Sequence, residues 1–255
     1  LRKVVSAQEL LQSRDALTPV PVAAQDVAFI QYTSGSTGDP KGVVLTHANL
    51  LANIRAMGQA IGLRPDDVFV SWLPLYHDMG LIGAWLGTLY FGIPLVVMSP
   101  LTFLAKPVRW LQAIQTYRGT LSSAPNFAYE LCVKKISDEE LVGLDLSSWR
   151  LAFNGAEAVL PETLTRFGRR FAPYGFHSEA LTPVYGLAEC SVGLAFPPSG
   201  RGPLVDSVQR ASFTYTGCAV PAASDEASAL SFASCGRPLP GHELRIVDAV
   251  LGRRQ

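Results

Sequence analysis

The sequence has little charge and no excess of either sign. Only 16% of its 255 residues are Asp, Glu, Lys or Arg, and 21 basic residues balance 21 acidic ones. A chain without net charge lacks the positive field that attracts nucleic acids or anionic membranes. With 48% hydrophobic residues, the composition indicates either a large interior or a part of a larger protein whose other segments cover apolar faces.

Cysteine is scarce and lacks the spacing of metal sites. The four cysteines are Cys132, Cys190, Cys218 and Cys235, and no two form a Cys-x-x-Cys pair. We interpret them as reduced thiols, with no disulfide framework implied. The sequence also contains no Asn-x-Ser/Thr glycosylation site and no signal-peptide core at its start. These features favour a cytoplasmic protein.

One stretch, residues 79–105, has no charged residue and is long enough to span a bilayer. However, Gly92-Ile93-Pro94 divides it into a piece of helical length and a short strand-like run at 95–98. We therefore favour a buried helix followed by a buried parallel strand over a transmembrane helix.

A loop rich in Gly, Ser and Thr organises the first part of the chain. Residues 32–42 read Tyr-Thr-Ser-Gly-Ser-Thr-Gly-Asp-Pro-Lys-Gly. The apolar run 27–32 before the loop predicts a buried strand, and Thr46 after it is a plausible N-cap for an amphipathic helix. Backbone N–H groups, hydroxyls and Lys41 in such a loop favour phosphate binding over a flexible linker. Lys41 lies between Pro40 and Gly42, so the loop is not a Walker A motif.

Downstream, strands and helices alternate. Strands are predicted at 68–73, 120–123, 150–153 and 180–185, and Pro161 is predicted to begin a helix that buries Leu164, Phe167 and Phe171. This alternation predicts an α/β fold, with a mostly parallel sheet covered by helices and ligands bound at the strand ends. The alternation of strands and helices is not recognisable over residues 199–234. A further strand is expected at 242–247.

Two strand ends carry residues suited to a nucleotide. Asn154, Gly155, Ala156 and Glu157 follow one strand, where small residues let a flat ring lie against the backbone. Tyr185, followed by Gly186, can stack on the other face of such a ring. Glu189 offers a hard oxygen ligand for magnesium between phosphates. Each residue alone also fits a structural role: Tyr185 in the core, Glu189 as a solvated charge at a helix start.

Taken together, these motifs resemble those of the adenylate-forming enzymes, which include acyl-CoA synthetases, peptide-synthetase adenylation domains and luciferases. The loop 32–42 resembles their phosphate loop, residues 185–189 their adenine and magnesium motif, and residues 155–157 their adenine loop. Residues 71–81, 125–132 and 144–150 are similar to fatty acyl-AMP ligases in particular. The resemblance runs from about residue 26 to 248.

The resemblance implies an enzyme that joins a fatty acid to AMP from ATP, releases pyrophosphate and loads an acyl carrier protein. Thr33, Ser34, Gly35, Ser36, Thr37, Gly38 and Lys41 would hold the β- and γ-phosphates. Gly155, Ala156 and Tyr185, with Asn154, Glu157 and Gly186 beside them, would hold adenine. Glu189 and Thr37 would bind Mg²⁺, His77 would lie where the carboxylate meets the α-phosphate, and residues 79–91 would line the acyl tunnel. Alone, His77 also fits a hydrogen-bonded core histidine.

The chain departs from the family in places. Pro183 stands where many peptide-synthetase domains have Asn, so the amino group of adenine needs another partner. The family's ribose-binding Asp and its C-terminal domain with a catalytic lysine would follow Gln255, so this chain is expected to be a fragment of the large N-terminal domain and nearly inactive alone. We expect a connector at 1–25, an ATP- and acyl-binding core at 26–198, a family insertion at 199–234 and the start of a β-rich subdomain at 235–255.

Two rival functions stay open from sequence. An acyl-CoA synthetase performs the same first reaction with a different thiol acceptor, and the stretch 199–234 favours the ligase because the ligases carry an insertion there that disfavours CoA. A non-catalytic nucleotide- or acyl-binding module is the second rival, although the intact Lys41 and Glu189 argue against loss of activity.

Overall fold

A computed structural model of the chain describes residues 20–33, 41–223 and 225–247, together with Gln8 and Gln12. The strands of the described part are β1 Val27–Thr33, β2 Lys41–Thr46, β3 Phe69–Ser71, β4 Leu95–Val97, β5 Leu121–Ala124, β6 Leu151–Asn154, β7 Leu181–Pro183, β8 Tyr185–Gly186, β9 Gly193–Phe196, β10 Val205–Val208, β11 Leu230–Ala233 and β12 Arg237–Pro238. Its α-helices are α1 His47–Ala60, α2 Gly87–Phe91, α3 Pro100–Ala105, α4 Val108–Thr116, α5 Asn126–Lys135, α6 Pro161–Phe171 and α7 Arg210–Thr216. A π-helical segment, Met79–Leu86, leads directly into α2.

A five-stranded sheet forms the centre of the fold, in the order β4-β3-β5-β6-β7. All of its strand pairs are parallel. Parallel strands need crossover connections, and helices supply them on both faces of this sheet. The predicted α/β class and mostly parallel sheet are therefore confirmed.

The two faces of the sheet differ in how they are filled. On one face, Trp110 of α4, Tyr129 of α5 and Phe167 of α6 pack with Trp149 in an aromatic core that is almost inaccessible to solvent. The other face carries Phe69, Leu121, Leu151 and Phe153, which pack against Ile61, Ala84 and Ile93. Side chains of a strand alternate between faces, so Ser122 points to the first and Leu121 to the second.

The charge-free stretch is helix followed by parallel strand, as predicted. The π-helical segment and α2 lead through Gly92, Ile93 and Pro94 to β4, which pairs with β3. In the described part of the chain, no helix is long and apolar enough to cross a membrane.

The strand predicted at 27–32 is present, but the prediction that it is buried is wrong. In the part of the chain that the structure describes, β1 pairs with β2 alone, antiparallel, and the two strands form a hairpin separate from the parallel sheet. Ile30 and Tyr32 are exposed, while Phe29 packs against the cluster of Leu45, Ile54 and Ile82. The hairpin has one covered face, so its apolar residues alternate in burial. The motif is therefore strand, loop, strand and helix, and Thr46 caps α1 as predicted.

Three further sequence predictions need correction. Residues 180–185 form two short strands in different sheets: β7 ends at Pro183, and β8 pairs with β9. The stretch 199–234 contains regular structure, since β10 and β11 form an antiparallel pair with α7 between them. Residues 242–246 form no strand; β12 at Arg237–Pro238 pairs with β9 instead. Small polar residues obscured the alternating pattern within 199–234. Pro238 and Pro240 limit strand pairing near the C-terminal end, because proline has no backbone N–H to donate.

Candidate functional site

A cavity of about 210 Å³ lies on the second face of the parallel sheet and extends to the carboxyl edge of that sheet. Its apolar depth is formed by Ile61, Phe69, Phe91, Ile93, Leu121 and Phe153. Ile54, Met57 and Gly58 contribute one side of α1, and Met79, Gly83, Gly87 and Thr88 contribute the helical segment opposite. The predicted contribution of residues 79–91 to the wall of a tunnel is consistent with this arrangement. An apolar cavity with a few polar groups is the usual form of a small-molecule site.

His77 and Asp78 stand at the polar end of the cavity. They belong to the loop that follows β3, and the Nδ1 atom of His77 lies 2.9 Å from Oδ1 of Asp78. The hydrogen bond with Asp78 raises the pKa of His77, and the negative charge of Asp78 adds to this, although burial opposes it. The His77 ring therefore keeps its proton to higher pH than it would without Asp78.

Asp78 also fixes the start of the helical segment. Its Oδ1 atom accepts a hydrogen bond of 2.6 Å from the backbone N–H of Met79. Asp78 was not among the predicted site residues, although its position directly after His77 at a strand end could have indicated it.

The loop after β6 brings Ala156 to the cavity. Ala156 has a φ of 68°, a left-handed conformation that costs a non-glycine residue free energy. Gly155 before it packs so closely on Val184 that a Cβ atom would lie 2.9 Å from the Val184 carbonyl oxygen. A glycine is thus required here for packing, in addition to any role in ligand binding.

Asn154 and Glu157 of this loop do not line the cavity. Asn154 is fully buried, and its side-chain amide donates to Oδ1 of Asn126 at 3.2 Å. Glu157 accepts a hydrogen bond of 2.6 Å from the backbone N–H of Phe127. The structure gives both residues contacts that hold the loop against the start of α5.

Tyr185 and Gly186 line the cavity next to Ala156. Tyr185 is 49% exposed, which leaves ring surface available to a ligand. Gly186 approaches β9 so closely that a Cβ atom would lie 1.8 Å from the Val192 carbonyl oxygen, so no other residue fits. Ala156 and Tyr185 thus line the same cavity.

Asn53 of α1 connects that helix to β9, the strand that pairs with β8. Its side chain makes two hydrogen bonds with the backbone of Gly193, of 2.7 Å and 3.0 Å. Asn53 is buried and lies two turns after Thr46, so its hydrogen bonds join β9 to α1. Asn53 is not predictable from the sequence, because a polar residue on an apolar helix face fits many roles.

Glu189 is exposed in the turn Ala188–Cys190 and is not part of the cavity wall. A carboxylate in water near the cavity rim is suited to a hydrated Mg²⁺ held mainly by phosphates, which needs only one or two protein ligands. In the described part of the chain, no group of three or more His, Cys, Asp or Glu side chains forms a metal site. Glu189 could therefore supply one carboxylate ligand to Mg²⁺ bound together with a nucleotide.

The base of the predicted phosphate loop is described, but the loop itself is not. Thr33 and Lys41 face each other as the last pair of the β1–β2 hairpin, and Lys41 is exposed. The predicted phosphate ligands Ser34, Gly35, Ser36, Thr37 and Gly38 lie outside the described residues. Gln31 donates to the carbonyl of Tyr76 at 3.4 Å, which connects the hairpin to the loop that carries His77.

Comparison with known proteins gives consistent results. The profile of the family "AMP-binding enzyme" matches residues 2–255. A medium-chain-fatty-acid–[acyl-carrier-protein] ligase, TtuA of Teredinibacter turnerae, is 44% identical over 223 residues, which cover 88% of this chain and 34% of that protein. The long-chain-fatty-acid–AMP ligase FadD26 of Mycobacterium marinum is 39% identical over 90% of this chain and 40% of its own length.

Among solved structures, the fatty acyl-adenylate ligase from L. pneumophila, in complex with acyl adenylate and pyrophosphate, superposes with a TM-score of 0.86. It is 41% identical, and the match covers 91% of this chain and 40% of that one. The chain thus spans well under half the length of these relatives.

Proposed function

The chain belongs to the family of AMP-binding enzymes, and we propose that the whole natural protein is a ligase that activates a fatty acid as its acyl-adenylate. ATP is the expected source of AMP, and pyrophosphate is the other product. The observation that carries the proposal is the cavity, whose apolar depth ends at a mouth that contains His77, Ala156 and Tyr185. Such a site suits a ligand with an apolar chain, a carboxylate and a flat ring.

Burial of the acyl chain supplies affinity. The side chains of Phe69, Leu121 and Phe153 offer apolar contact to the chain, and each methylene removed from water contributes about 0.8 kcal/mol. The carboxylate remains at the mouth, since the depth of the cavity offers it no positive partner. His77, whose pKa is raised by Asp78, would donate a hydrogen bond to the carboxylate there.

The attack of a carboxylate on the α-phosphate brings two negative groups together. Catalysis of this reaction therefore depends on positioning and on neutralising charge, and it needs no protein nucleophile. We assign His77 and Lys41 to neutralisation at the α-phosphate and at the β- and γ-phosphates. Ala156 and Tyr185 would hold the adenine ring from its two sides, with Gly155 and Gly186 shaping the adjacent backbone. Mg²⁺, when bound by Glu189 and Thr37, would neutralise further phosphate charge.

The remaining phosphate contacts belong to Thr33 and to the loop of Ser34, Gly35, Ser36, Thr37 and Gly38. Thr33 and Lys41 close the hairpin on which this loop stands, and Gln31 connects that hairpin to the backbone next to His77. This connection supports a single site in which the phosphates and the carboxylate lie side by side. Asn154 and Glu157, both predicted to bind the nucleotide, are reassigned to supporting the adenine loop.

We further propose that the acceptor of the acyl group is the phosphopantetheine thiol of an acyl carrier protein. The name of the TtuA relative specifies such an acceptor. The stretch 199–234 contains the β10–α7–β11 unit, and we propose that this stretch is the insertion of the ligases. We retain the proposed division into a core at 26–198, an insertion at 199–234 and a β-rich start from residue 235.

The test is ATP–pyrophosphate exchange by the whole natural protein with a panel of fatty acids. The proposal expects exchange that depends on the fatty acid, followed by transfer to a phosphopantetheinylated carrier protein and little acyl-CoA with free CoA. Absence of exchange with every fatty acid would refute the activation reaction. Rapid formation of acyl-CoA would instead identify an acyl-CoA synthetase.

A further inference from the structure

Ser123 is a buried hydroxyl in the wall of an otherwise apolar part of the cavity. It lies in β5 and is only 4% exposed. Its Oγ atom makes no hydrogen bond with any described residue. A buried hydroxyl without a partner costs free energy compared with an apolar side chain of the same size, so an unpaired one indicates a ligand that completes it.

The neighbouring hydroxyls provide a contrast. Ser122, on the other face of β5, accepts from the indole N–H of Trp110 at 2.8 Å and donates to the carbonyl of Val70. Thr88, also in the cavity wall, donates to the carbonyl of Ala84 at 2.8 Å. Of the two buried hydroxyls in the described cavity wall, Ser123 and Thr88, Ser123 is thus the one whose donor is not already used within the protein.

The position of Ser123 along β5 determines which part of a bound acid it would face. Leu121, two residues earlier on the same face, lies in the apolar cluster, and the strand ends at Ala124. Ser123 pairs with Phe153 of β6, the third residue before Ala156 at the mouth. It therefore lies between the mouth and the apolar depth, beside the carbons nearest the carboxylate.

We propose that Ser123 recognises an oxygen substituent, a hydroxyl or oxo group, on a carbon near the carboxyl end of the acid. This inference deepens the proposed function and rests on it. A site that hydrogen-bonds a substrate hydroxyl discriminates against the analogue without it, because the buried partner is then left unpaired. A hydroxyl can both donate and accept, so Ser123 suits either substituent.

The test compares decanoic acid with decanoic acids that carry one hydroxyl or oxo group at successive carbons from C2. In the whole natural protein, kcat/KM in ATP–pyrophosphate exchange is measured for each acid. We expect one position at which the substituted acid is preferred, and Ser123→Ala should reduce that preference about 3- to 10-fold. Thr165→Val, which removes an exposed hydroxyl of α6 that donates to the carbonyl of Pro161, should leave the preference unchanged.

A preference that Ser123→Ala does not alter at any position would overturn the proposal. Calorimetric binding of the same acids without ATP keeps the inference separate from the activation reaction. If no acid supports exchange, the proposed function fails. The ratio of affinities in wild type and Ser123→Ala still decides whether Ser123 recognises the substituent.

Discussion

The side-chain oxygen Oε1 of Glu157 accepts a hydrogen bond of 2.6 Å from the backbone N–H of Phe127. Phe127 lies in the first turn of α5, where backbone N–H groups have no helical partner and a carboxylate interacts favourably with the helix dipole. Nearby, Oδ1 of Asn126 accepts from the N–H of Leu160 at 3.1 Å. Two contacts thus hold the loop that keeps Ala156 in its left-handed conformation.

Glu157→Ala should loosen this loop and raise KM for ATP more than it lowers kcat. The reason is that Glu157 supports Ala156 and does not itself line the cavity. Steady-state kinetics of the whole natural protein measure both constants. Glu162→Ala, at an exposed position in the first turn of α6, is the matched control and should change neither. A loss confined to kcat would instead favour direct contact of Glu157 with the reacting groups.

Lys41→Ala should lower the rate of adenylation by about 10²-fold or more, since it removes a cation that stabilises phosphate charge in the transition state. Lys41 follows the phosphate loop and closes the hairpin opposite Thr33. Pyrophosphate release measures the effect, and Lys135→Ala, at an exposed position at the end of α5, is the control. Pyrophosphate release close to that of the wild type would remove Lys41 from the site.

Much of the fold was predictable because its parallel strands are short apolar runs that end in Gly, Pro or polar residues. The capping role of Thr46 and the buried face of α6 followed from local pattern. The exposed face of the β1–β2 hairpin was not predictable, since the apolar run 27–32 gives no sign of which face is covered. The passage of the chain from one sheet to another after Pro183 was not predictable either, because it depends on tertiary contacts of Val184 and Gly186.

For the site, motifs predicted the cavity residues His77, Ala156, Tyr185 and Gly186, and the structure brings them together. They did not reveal that Glu157 supports the loop, because a motif records which residues are present and gives no contacts. Ser123 also escaped prediction. Its lack of a hydrogen-bond partner is a property of the packed structure alone.

The positive charge of His77 should make binding of the acid depend on pH. Because the hydrogen bond with Asp78 raises the pKa of His77, its charge is present below that raised pKa and is lost as pH increases through it. Asp78→Asn should therefore move the decline of kcat/KM for the fatty acid to lower pH. NMR titration of the His77 ring should show the same downward shift. An unchanged profile would exclude His77 as the titrating group.

The Asp67–Arg150 ion pair should stabilise the fold. Asp67 is 1% exposed and also accepts a hydrogen bond of 2.7 Å from Thr120. Asp67→Asn should lower the free energy of unfolding by about 3 kcal/mol, because it leaves the Arg150 charge without its partner. Denaturant unfolding measures this. Asp145→Asn, which removes a pair on the surface with Arg118, should have a small effect and is the control.

The contribution of Asp67 to the free energy of unfolding should also depend on pH. Burial raises the pKa of Asp67, but the hydrogen bonds from Arg150 and Thr120 outweigh it, so the pKa is lowered below 3.8. The stabilisation is therefore fully present above pH 3.8 and is lost as pH falls through the lowered pKa. If the difference in free energy of unfolding between wild type and Asp67→Asn persists below the lowered pKa, the pH dependence does not come from Asp67.

The most direct test of the central claim, that the cavity holds the acyl chain, is the chain-length profile of ATP–pyrophosphate exchange in Gly83→Phe. Gly83 lines the cavity, and a Cβ atom placed on it meets no other atom within 4 Å. The added ring should fill the cavity and shift the preferred acid to a shorter chain. Leu89→Phe, at an exposed position of α2, should leave the profile unchanged. A profile in Gly83→Phe that equals that of the wild type would contradict the assignment of this cavity to the acyl chain.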